Sequence, residues 1–215
     1  MSERPWQTAL LPEVLSGIQA GVMRTRYRGR SLLKNPFDLV VYLQLLQQLR
    51  PGTVVEIGSK MGGSALWFAD MMTLHGIDAH VVSVDLQPPS GIDDARIEFL
   101  QGDALRLQET LDAGRCAQWK RPLLVIEDSA HYYDTTLAAM RFFDPLLQRG
   151  DFLVVEDGVV AFLPGAAYRA YDDGPNRAVR TFLADSGDRY EVVPELCDWF
   201  GYNVTYCPNS WLRRR

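Results

Sequence analysis

Residues 54–64 read VVEIGSKMGGS, and this stretch decides the fold of the chain. An apolar run reaches an acidic residue, continues into a turn with three closely spaced glycines, and is followed by the helical sequence ALWFA at 65–69. Glycine lets a backbone turn sharply and lets a ligand approach it closely. The stretch therefore predicts a strand–turn–helix unit that binds a ligand at the turn. The candidate binding residues are Glu56, Gly58, Ser59, Gly62, Gly63 and Ser64.

Three common binding motifs do not fit this turn. The dinucleotide fingerprint G-x-G-x-x-G fails because three residues separate Gly58 from Gly62. No lysine directly follows a glycine, which excludes a P-loop, and no lysine follows a tyrosine by four positions, which excludes a Tyr/Lys reductase pair. An ordinary strand–helix turn without a ligand stays open as the alternative.

Acidic residues also follow the next two predicted strands. The run AHVVSV at 79–84 leads into Asp85, and the run IEFLQG at 97–102 leads into Asp103. A carboxylate after the second strand of a doubly wound sheet can accept hydrogen bonds from both ribose hydroxyls, and one after the third could accept a bond from an adenine amino group. Each acid alone is more often a helix cap. The series, with Glu56, favours a nucleoside cofactor without a bare phosphate, and most of all S-adenosylmethionine.

The composition restricts the class of protein. A chain of 215 residues, 47% of them hydrophobic, suits one sizeable domain with a buried core. The net charge of −5 argues against nucleic-acid binding, and the short C-terminal run of arginines, predicted to be frayed, does not reverse this. Cys116, Cys197 and Cys207 lack metal-binding spacing, which favours a reducing compartment. Because we find no signal-peptide core and no apolar run of spanning length, we predict a cytoplasmic protein that binds no membrane.

Strands and helices alternate along most of the chain. This order predicts an α/β fold with a doubly wound, mostly parallel, seven-stranded sheet, preceded by a helical N-terminal segment, residues 1–35, that is a candidate substrate cap. The predicted strands are 53–57, 80–84, 97–100, 122–127, 151–155, 190–193 and 202–206, the last two as an antiparallel closing pair. The predicted helices are 13–23, one from Pro36, 64–74, one near 106–113, 134–148 and one from Pro175, with loops at 24–30 and 158–174.

A second group of acids follows the fourth and fifth of these strands. The run LLVI at 123–126 leads through Glu127 to Asp128, and the run FLVV at 152–155 leads to Glu156 and Asp157. The carboxyl ends of neighbouring parallel strands share the rim where α/β sheets bind ligands. Converging carboxylates need a cation between them, and an all-oxygen site suits Mg²⁺ or Ca²⁺. We predict a divalent-metal site at Asp128, Glu156 and Asp157, with helix capping as the alternative for each acid.

A histidine lies three positions after the first of these acids. His131 could act as a base near neutral pH or support the metal site from outside it, and a capping or surface histidine is the alternative. A metal at this site would make a substrate hydroxyl more acidic. Asp128 and His131 are therefore the candidate catalytic residues that accept its proton.

Taken together, these residues resemble the cephalosporin hydroxylase and rhamnosyl O-methyltransferase family, which has the class I methyltransferase fold. The resemblance covers roughly residues 30–213. The glycine-rich turn is shared by many methyltransferases, whereas the Asp-x-x-His sequence combined with a later Glu-Asp pair is more specific. The matching stretches are KNPFDL (34–39), EIGS (56–59), GGS (62–64), Asp85, DSAH (128–131), GDF (150–152), VVED (154–157), GPNRAV (174–179), VTYCP (204–208) and WLR (211–213).

The resemblance implies an S-adenosylmethionine-dependent, divalent-metal-dependent O-methyltransferase that acts on a hydroxyl of a sugar or natural-product intermediate, such as an antibiotic precursor. Residues 36–215 would be its methyltransferase domain. Glu127 departs from the family pattern, because an apolar residue would be more usual there. The implied cofactor contacts are Glu56, Gly58, Ser64, Asp85 and Asp103, with Asp128 as a further candidate, and the implied ligands of the metal, commonly Mg²⁺, are Asp128, Glu156 and Asp157.

Two other functions stay open on the sequence alone. One is a non-catalytic cofactor-binding subunit, and the other is a hydroxylase-associated component of an antibiotic-biosynthesis enzyme. His75, His80 and His131 provide no recognisable two-His-one-carboxylate iron site, which argues against the second. As partners we expect a small hydroxylated acceptor, with glycosylated molecules among the candidates, and further copies of the chain in a homo-oligomer.

Overall fold

The computed structural model describes residues 4–78 and 80–215. They form a central sheet with helices on both faces and a separate hairpin. The hairpin strands are β1 (Arg26–Tyr27) and β2 (Arg30–Ser31), and the central strands are β3 (Thr53–Ile57), β4 (His80–Asp85), β5 (Ile97–Gln101), β6 (Leu123–Glu127), β7 (Phe152–Val155), β8 (Tyr190–Val192) and β9 (Trp211–Arg214). The α-helices are α1 (Pro12–Val22), α2 (Pro36–Leu49), α3 (Gly63–Leu74), α4 (Ala113–Ala117), α5 (Tyr133–Phe143), α6 (Ala166–Arg169), α7 (Gly174–Ser186) and α8 (Pro194–Cys197), with short 3-10 helices at Ala104–Glu109, Gly158–Ala161 and Gly187–Arg189.

The central strands lie in the order β5-β4-β3-β6-β7-β9-β8. Strands β3 to β7 are parallel, and β9 is antiparallel to both of its neighbours. The predicted doubly wound, mostly parallel, seven-stranded sheet is thus confirmed. The order changes direction between β3 and β6, and at such a point a ligand crevice opens outside the carboxyl ends of the strands.

Side chains along the strands alternate between two buried apolar layers. Val54 and Val154 belong to the layer that contains residues of α2 and α3. Val55 and Val155 belong to the opposite layer, which contains residues of α5 and α7. The same alternation decides which way the acids at the strand ends face.

The closing pair of strands differs from the prediction in its second member. Strand β8 forms as expected, but residues 202–206 form turns, and β9 supplies the partner strand instead. The Asp38 carboxylate on α2 accepts hydrogen bonds from the Thr205 hydroxyl and the Tyr206 amide, and these bonds hold the segment in an irregular loop. The prediction was wrong here because a contact with a distant helix overrides the local strand pattern.

The C-terminal arginines also differ from the prediction of a frayed terminus. Arg213 and Arg214 lie in β9, between β7 and β8, and the Arg214 amide donates a hydrogen bond to the Asp151 carbonyl. The Arg213 guanidinium pairs with Glu191. These residues complete the sheet, because the two neighbouring strands satisfy their backbone groups.

Most of the predicted helices form with shifted bounds, whereas the short helices α6 and α8 were not predicted. The helix predicted at 134–148 ends at Phe143, and the region near 106–113 is occupied by a 3-10 helix and α4. The predicted loop at 24–30 contains the hairpin, and the predicted loop at 158–174 contains a 3-10 helix and α6. Helix α2 begins where predicted, because the Asn35 side chain accepts a hydrogen bond from the Phe37 amide at 3.0 Å.

Candidate active site

A cavity of about 330 Å³ lies outside the carboxyl ends of the parallel strands β3, β4, β5 and β6. This is the position at which the strand order changes direction. The N-terminal segment supplies part of its wall. The lining residues are Ser31, Leu33, Lys34, Ile57, Gly58, Ser59, Lys60, Ser64, Val84, Asp85, Leu86, Gly102, Asp103, Ala104, Asp128, Ser129, Ala130, His131, Thr135 and Asp157.

The glycine-rich turn brings three parts of the chain into close contact. At Gly58, where φ is +108°, an added Cβ would lie only 2.0 Å from the carbonyl oxygen of Asp128. At Gly63, an added Cβ would lie 2.1 Å from the carbonyl oxygen of Ser31. Gly58 lines the cavity, whereas Gly62 and Gly63 are not among the lining residues. The absence of a side chain at Gly58 and Gly63 allows the close packing that sets the position of the turn.

Two predicted cofactor-binding acids line the cavity and are already oriented by backbone amides. Asp85 accepts hydrogen bonds from the amides of Lys60 and Gln87, both at 2.9 Å. Asp103 accepts a bond from the Leu105 amide at 2.9 Å and caps the following 3-10 helix. The capping alternative and a ligand-binding role are compatible, because a carboxylate has about four acceptor positions.

Glu56 lies behind the turn. Its side chain is completely buried and is not among the residues that line the cavity. Oε2 accepts a hydrogen bond from the Ser83 hydroxyl at 2.8 Å, and that hydroxyl lies 2.7 Å from the Ser59 hydroxyl. The structure thus connects Glu56 to the cavity through two serines.

Three side chains offer metal-ligating atoms at one point of the cavity wall. Asp128, His131 and Asp157 each provide one such atom, and these atoms all lie within 4.8 Å of one another. Nε2 of His131 lies 3.4 Å from Oδ2 of Asp157. His131 and Asp157 both have left-handed backbone conformations, with φ of 60° and 57°, which cost a non-glycine residue about 1–2 kcal/mol each.

The third predicted metal ligand, Glu156, is held by other partners. Its Oε1 atom accepts hydrogen bonds from the Lys34 ammonium at 2.7 Å and from the Tyr42 hydroxyl at 2.6 Å. The same ammonium donates to Oδ2 of Asp128 at 2.6 Å. Glu156 does not line the cavity. The structure therefore brings Asp128 and Asp157 together at the cavity and places Glu156 behind them, across Lys34.

Strand alternation explains why Lys34 meets these acids. Glu56, Asp128 and Glu156 continue the positions of strands β3, β6 and β7 that face α2, and Lys34 lies two residues before the start of that helix. Glu127 faces the opposite way, where it accepts a hydrogen bond from the Ser129 amide at 3.2 Å. Asp128 is therefore the acid of this pair that faces the cavity.

Burial changes the acidity of the cluster. Burial raises the pKa of Asp128 to about 8 and that of Glu156 to about 8, even though the Lys34 ammonium opposes both shifts. Burial alone would lower the pKa of Lys34, but the carboxylates of Asp128, Glu156 and Glu56 raise it well above its usual value. Burial thus makes these carboxylates costly to ionise, and a nearby cation, the Lys34 ammonium or a bound divalent ion, favours their charged form.

Sequence reasoning did not identify Lys34 as a site residue, although it lies in the KNPFDL stretch. Its partners are 94 and 122 residues away along the chain. The available signal was the scarcity of lysine, since only Lys34, Lys60 and Lys120 occur. A lysine just before the cap of a helix, in a chain rich in arginine, indicates a role that arginine does not fill.

Aromatic rings cover the outer side of His131. The ring centroid of Tyr171 lies 5.4 Å from that of His131, in an edge-on arrangement. Tyr132, which is 48% exposed, lies 5.3 Å from the Tyr171 ring. Tyr171 belongs to the segment 158–174 that follows Asp157, so this segment returns to the site after leaving it.

The sheet order, the glycine-rich turn after the central strand and the acids at neighbouring strand ends define a Rossmann-like methyltransferase fold. Solved structures agree with this class. CmcI in its Mg-SAM form is similar with a TM-score of 0.66 and 28% sequence identity, and the match covers 90% of this chain and 77% of that chain.

The family model "Rhamnosyl O-methyltransferase/CmcI" matches residues 20–215, and the chain belongs to this family. The family expected from the sequence is thereby confirmed. A rhamnosyl O-methyltransferase of Mycobacterium leprae (strain TN) is 32% identical over 199 residues, which are 89% of this chain and 83% of that protein. The 8-demethyl-8-(2-methoxy-alpha-L-rhamnosyl)-tetracenomycin-C 3'-O-methyltransferase of Streptomyces olivaceus is 32% identical over 126 residues, 54% of this chain and 30% of that protein. Among residues 4–78 and 80–215, every helix is too short or too polar to cross a membrane.

Proposed function

We propose that this chain is a divalent-metal-dependent O-methyltransferase that transfers the methyl group of S-adenosylmethionine to a hydroxyl of a sugar or another natural-product intermediate. One observation carries the proposal: a single cavity joins Asp85 and Asp103 to the cluster of Asp128, His131 and Asp157. Methyl transfer needs a cofactor and a hydroxyl side by side, with a group that takes up the proton. The named relatives, which methylate rhamnosyl groups, support the assignment.

In the cofactor half of the cavity, Asp85 would accept hydrogen bonds from the ribose hydroxyls and Asp103 would accept one from the adenine amino group. Backbone amides already hold both carboxylates, so little side-chain freedom is lost on binding. The turn at Gly58 lets the backbone approach the cofactor closely. Glu56 acts from behind the turn, through the two serines. Ser59 and Ser64 are further proposed contacts.

In the other half, Asp128 and Asp157 would hold a divalent cation, with His131 beside them. The spacing of their ligand atoms fits one small cation, and the carboxylate oxygens suit Mg²⁺. Through Oε1, Glu156 could join them only after this atom leaves the Lys34 ammonium and the Tyr42 hydroxyl. A bound Mg²⁺ would supply Lewis acidity, lowering the pKa of the acceptor hydroxyl.

His131 is the proposed proton acceptor. It lines the cavity, and its Nε2 atom lies 3.4 Å from Oδ2 of Asp157, which can orient the imidazole. Asp128 is the alternative acceptor, but its carboxylate is already bonded to Lys34. The chain then has three tasks: to hold the two reactants in line, to receive the proton, and to exclude water.

We also propose that residues 158–174 and the N-terminal segment cover the acceptor. The first segment begins directly after Asp157 and returns to His131 through Tyr171. Aromatic faces such as those of Tyr132 and Tyr171 present an apolar surface with a polar tip, which suits a sugar ring. The N-terminal segment contributes Leu33 to the cavity wall, which supports a cap formed by residues 1–35.

Methyl transfer by the purified chain tests this function. S-adenosylmethionine with a labelled methyl group is offered with rhamnosylated acceptors and with the same molecules lacking the sugar, in EDTA and then in Mg²⁺. We expect methyl transfer to a sugar hydroxyl when Mg²⁺ is present and no transfer in EDTA. His131→Gln should reduce the rate roughly 10²–10⁴-fold, and the half-exposed His80, which is outside the cavity lining, provides the matched control His80→Gln.

Two results would redirect the assignment. Cofactor binding without transfer to any hydroxylated acceptor would indicate a non-catalytic subunit. Iron bound to the purified chain would indicate a hydroxylase component instead.

The partners and location predicted from the sequence complete the proposal. We propose a homo-oligomer in the cytoplasm that acts on a small glycosylated acceptor and binds neither nucleic acid nor membranes. The free, buried thiols of Cys116, Cys197 and Cys207 support a reducing compartment, and the net charge of −5 supports the absence of nucleic acid. Light scattering measures the oligomeric state, and cell fractionation measures the location.

A further inference from the structure

Lys34 lies at the centre of the acidic residues of the site. Its side chain is 2% exposed, and its ammonium donates hydrogen bonds to Asp128 at 2.6 Å and to Glu156 at 2.7 Å. Oε1 of Glu56 lies 3.7 Å from the same nitrogen. Lys34 and Asp128 both line the cavity, whereas Glu56 and Glu156 are buried and do not.

Glu56 offers this ammonium a second position. The Glu56 side chain is completely buried, yet its Oε1 atom has no hydrogen-bond partner anywhere in residues 4–78 and 80–215. A buried carboxylate oxygen without a donor is costly to the folded state. If the Lys34 nitrogen moved about 1 Å towards Glu56, the 3.7 Å separation would shorten to the length of a charge-assisted hydrogen bond.

We propose that Lys34 is the resident cation of this acidic cluster: its ammonium bridges Asp128 and Glu156 in the metal-free protein, and it moves to Glu56 when a divalent cation at Asp128 and Asp157 draws in the Glu156 carboxylate. The inference rests on the proposed function only in that a divalent cation binds at Asp128. Lys34 is then a positioning residue that sets how tightly the cation is held.

Charge explains why the two cations must compete. Three carboxylates, those of Glu56, Asp128 and Glu156, face one ammonium, so acid is in excess even with Lys34 charged. A divalent cation that draws Glu156 towards Asp128 would lie close to the ammonium that bridges these two acids, and the like charges would repel each other. Divalent-cation binding therefore includes the displacement of Lys34, and removing Lys34 should strengthen it. The metal-free protein should become less stable, because buried carboxylates lose their counter-ion.

The first experiment compares Lys34→Met with wild type, using Mg²⁺ alone without cofactor or acceptor. In EDTA, the variant should unfold roughly 6–20 °C below wild type. In calorimetry it should bind Mg²⁺ roughly tenfold more tightly or better. Lys60→Met is the matched control, because Lys60 lines the same cavity with an exposed side chain, and it should change the affinity by less than about threefold.

A double-mutant cycle tests the second position. Glu56→Gln should weaken Mg²⁺ binding in wild type roughly tenfold, because the displaced ammonium loses its charged acceptor. In the Lys34→Met background the same substitution should have an effect of less than about threefold. If Glu56→Gln weakens binding equally in both backgrounds, its charge acts directly on the cation and the movement to Glu56 is refuted.

A measurement on the wild-type protein applies even if the variants do not fold. With only Lys34, Lys60 and Lys120 present, nitrogen-15 labelling of the lysine side chains gives three ammonium signals. Titration with Mg²⁺ should shift the signal of the buried Lys34 and leave the other two nearly unchanged. The inference is overturned if the Lys34 signal does not shift while calorimetry shows bound Mg²⁺, or if Lys34→Met binds Mg²⁺ with wild-type affinity. Either result leaves the proposed function intact. If no divalent cation binds to wild type, the metal part of the proposed function fails as well.

Discussion

Replacing Asp85 by asparagine tests the cofactor half of the site with little change in side-chain shape. The wild-type carboxylate accepts hydrogen bonds from the Lys60 and Gln87 amides, both at 2.9 Å. A carboxylate has about four acceptor positions, so about two remain for the ribose hydroxyls. All acceptor positions of the Asp85 carboxylate would therefore be occupied when the cofactor is bound.

The structure sets the size of the expected effect. Asparagine keeps one acceptor oxygen and places an amide NH₂ group at the other position, where it cannot accept a bond from a backbone amide. Hydrogen bonds to the ribose also change from charged to neutral, which lowers the contribution of each from about 1.5–3 kcal/mol to about 1 kcal/mol. The combined loss is about 1–3 kcal/mol, so the dissociation constant of S-adenosylmethionine should rise roughly 5- to 150-fold.

Calorimetric titration of S-adenosylmethionine into wild type and Asp85→Asn measures this loss. Asp93→Asn is the control, because Asp93 is an exposed acid in the loop after the same strand and its substitution removes the same charge. Thermal unfolding without ligand shows whether the variant is folded. If a folded Asp85→Asn protein binds the cofactor within about twofold of Asp93→Asn, Asp85 does not hold the ribose and the assignment is wrong.

Four further perturbations address stability, metal binding, pH and the covering segment. Gly58→Ala should lower the free energy of unfolding by about 2–4 kcal/mol, because φ is +108° and the new methyl group would lie 2.0 Å from a carbonyl oxygen. The control Gly76→Ala, where φ is +62° and the space around the residue is open, should lower it by only about 1 kcal/mol in the same urea titration. Asp157→Asn should weaken Mg²⁺ binding roughly tenfold in calorimetry and leave cofactor affinity largely intact; equal Mg²⁺ affinity would remove Asp157 from the metal site. Burial raises the pKa of Asp38 to about 7. The stability that comes from its bound proton is therefore present below about pH 4 and is lost, by up to about 4 kcal/mol, as the pH rises through 7. Urea titrations of Asp38→Asn at several pH values should lack this part of the pH dependence, and a profile equal to that of wild type would refute the shift. Residues 158–174 should gain hydrogen-exchange protection when a glycosylated acceptor binds, and unchanged protection during measurable turnover would show that acceptor choice lies at the sheet rim.

Local sequence patterns were sufficient to predict most of the sheet. Continuous apolar runs mark buried parallel strands, and the glycine-rich turn marks the passage from β3 to α3, because both signals depend on neighbouring residues only. The carboxyl ends of those strands share one rim, so Asp85, Asp103, Asp128 and Asp157 could be assigned to that rim before any side chain was located, but the same reasoning also assigned Glu56 and Glu156, which do not line the cavity. The residues quoted for the resemblance likewise predicted the family.

Other features depended on contacts between distant residues. Residues 202–206 have a strand-like pattern, but the buried Asp38 holds them in a loop and the sheet is completed by β9 instead. No local pattern distinguishes these outcomes, because pairing with β7 and β8 decides between them.

The chain by itself determined the parallel sheet, the turn and the rim on which the acids lie, since each follows from a repeat or a motif a few residues long. Only the tertiary structure placed Lys34 among Asp128 and Glu156, which lie 94 and 122 residues away, and only it separated the buried Glu56 from the cavity. The physical reason is that hydrogen bonding and burial depend on which elements meet in space. The charge balance of this site is therefore set by the packing of α2 and the segment before it against three strand ends, and sequence spacing carries no record of that packing.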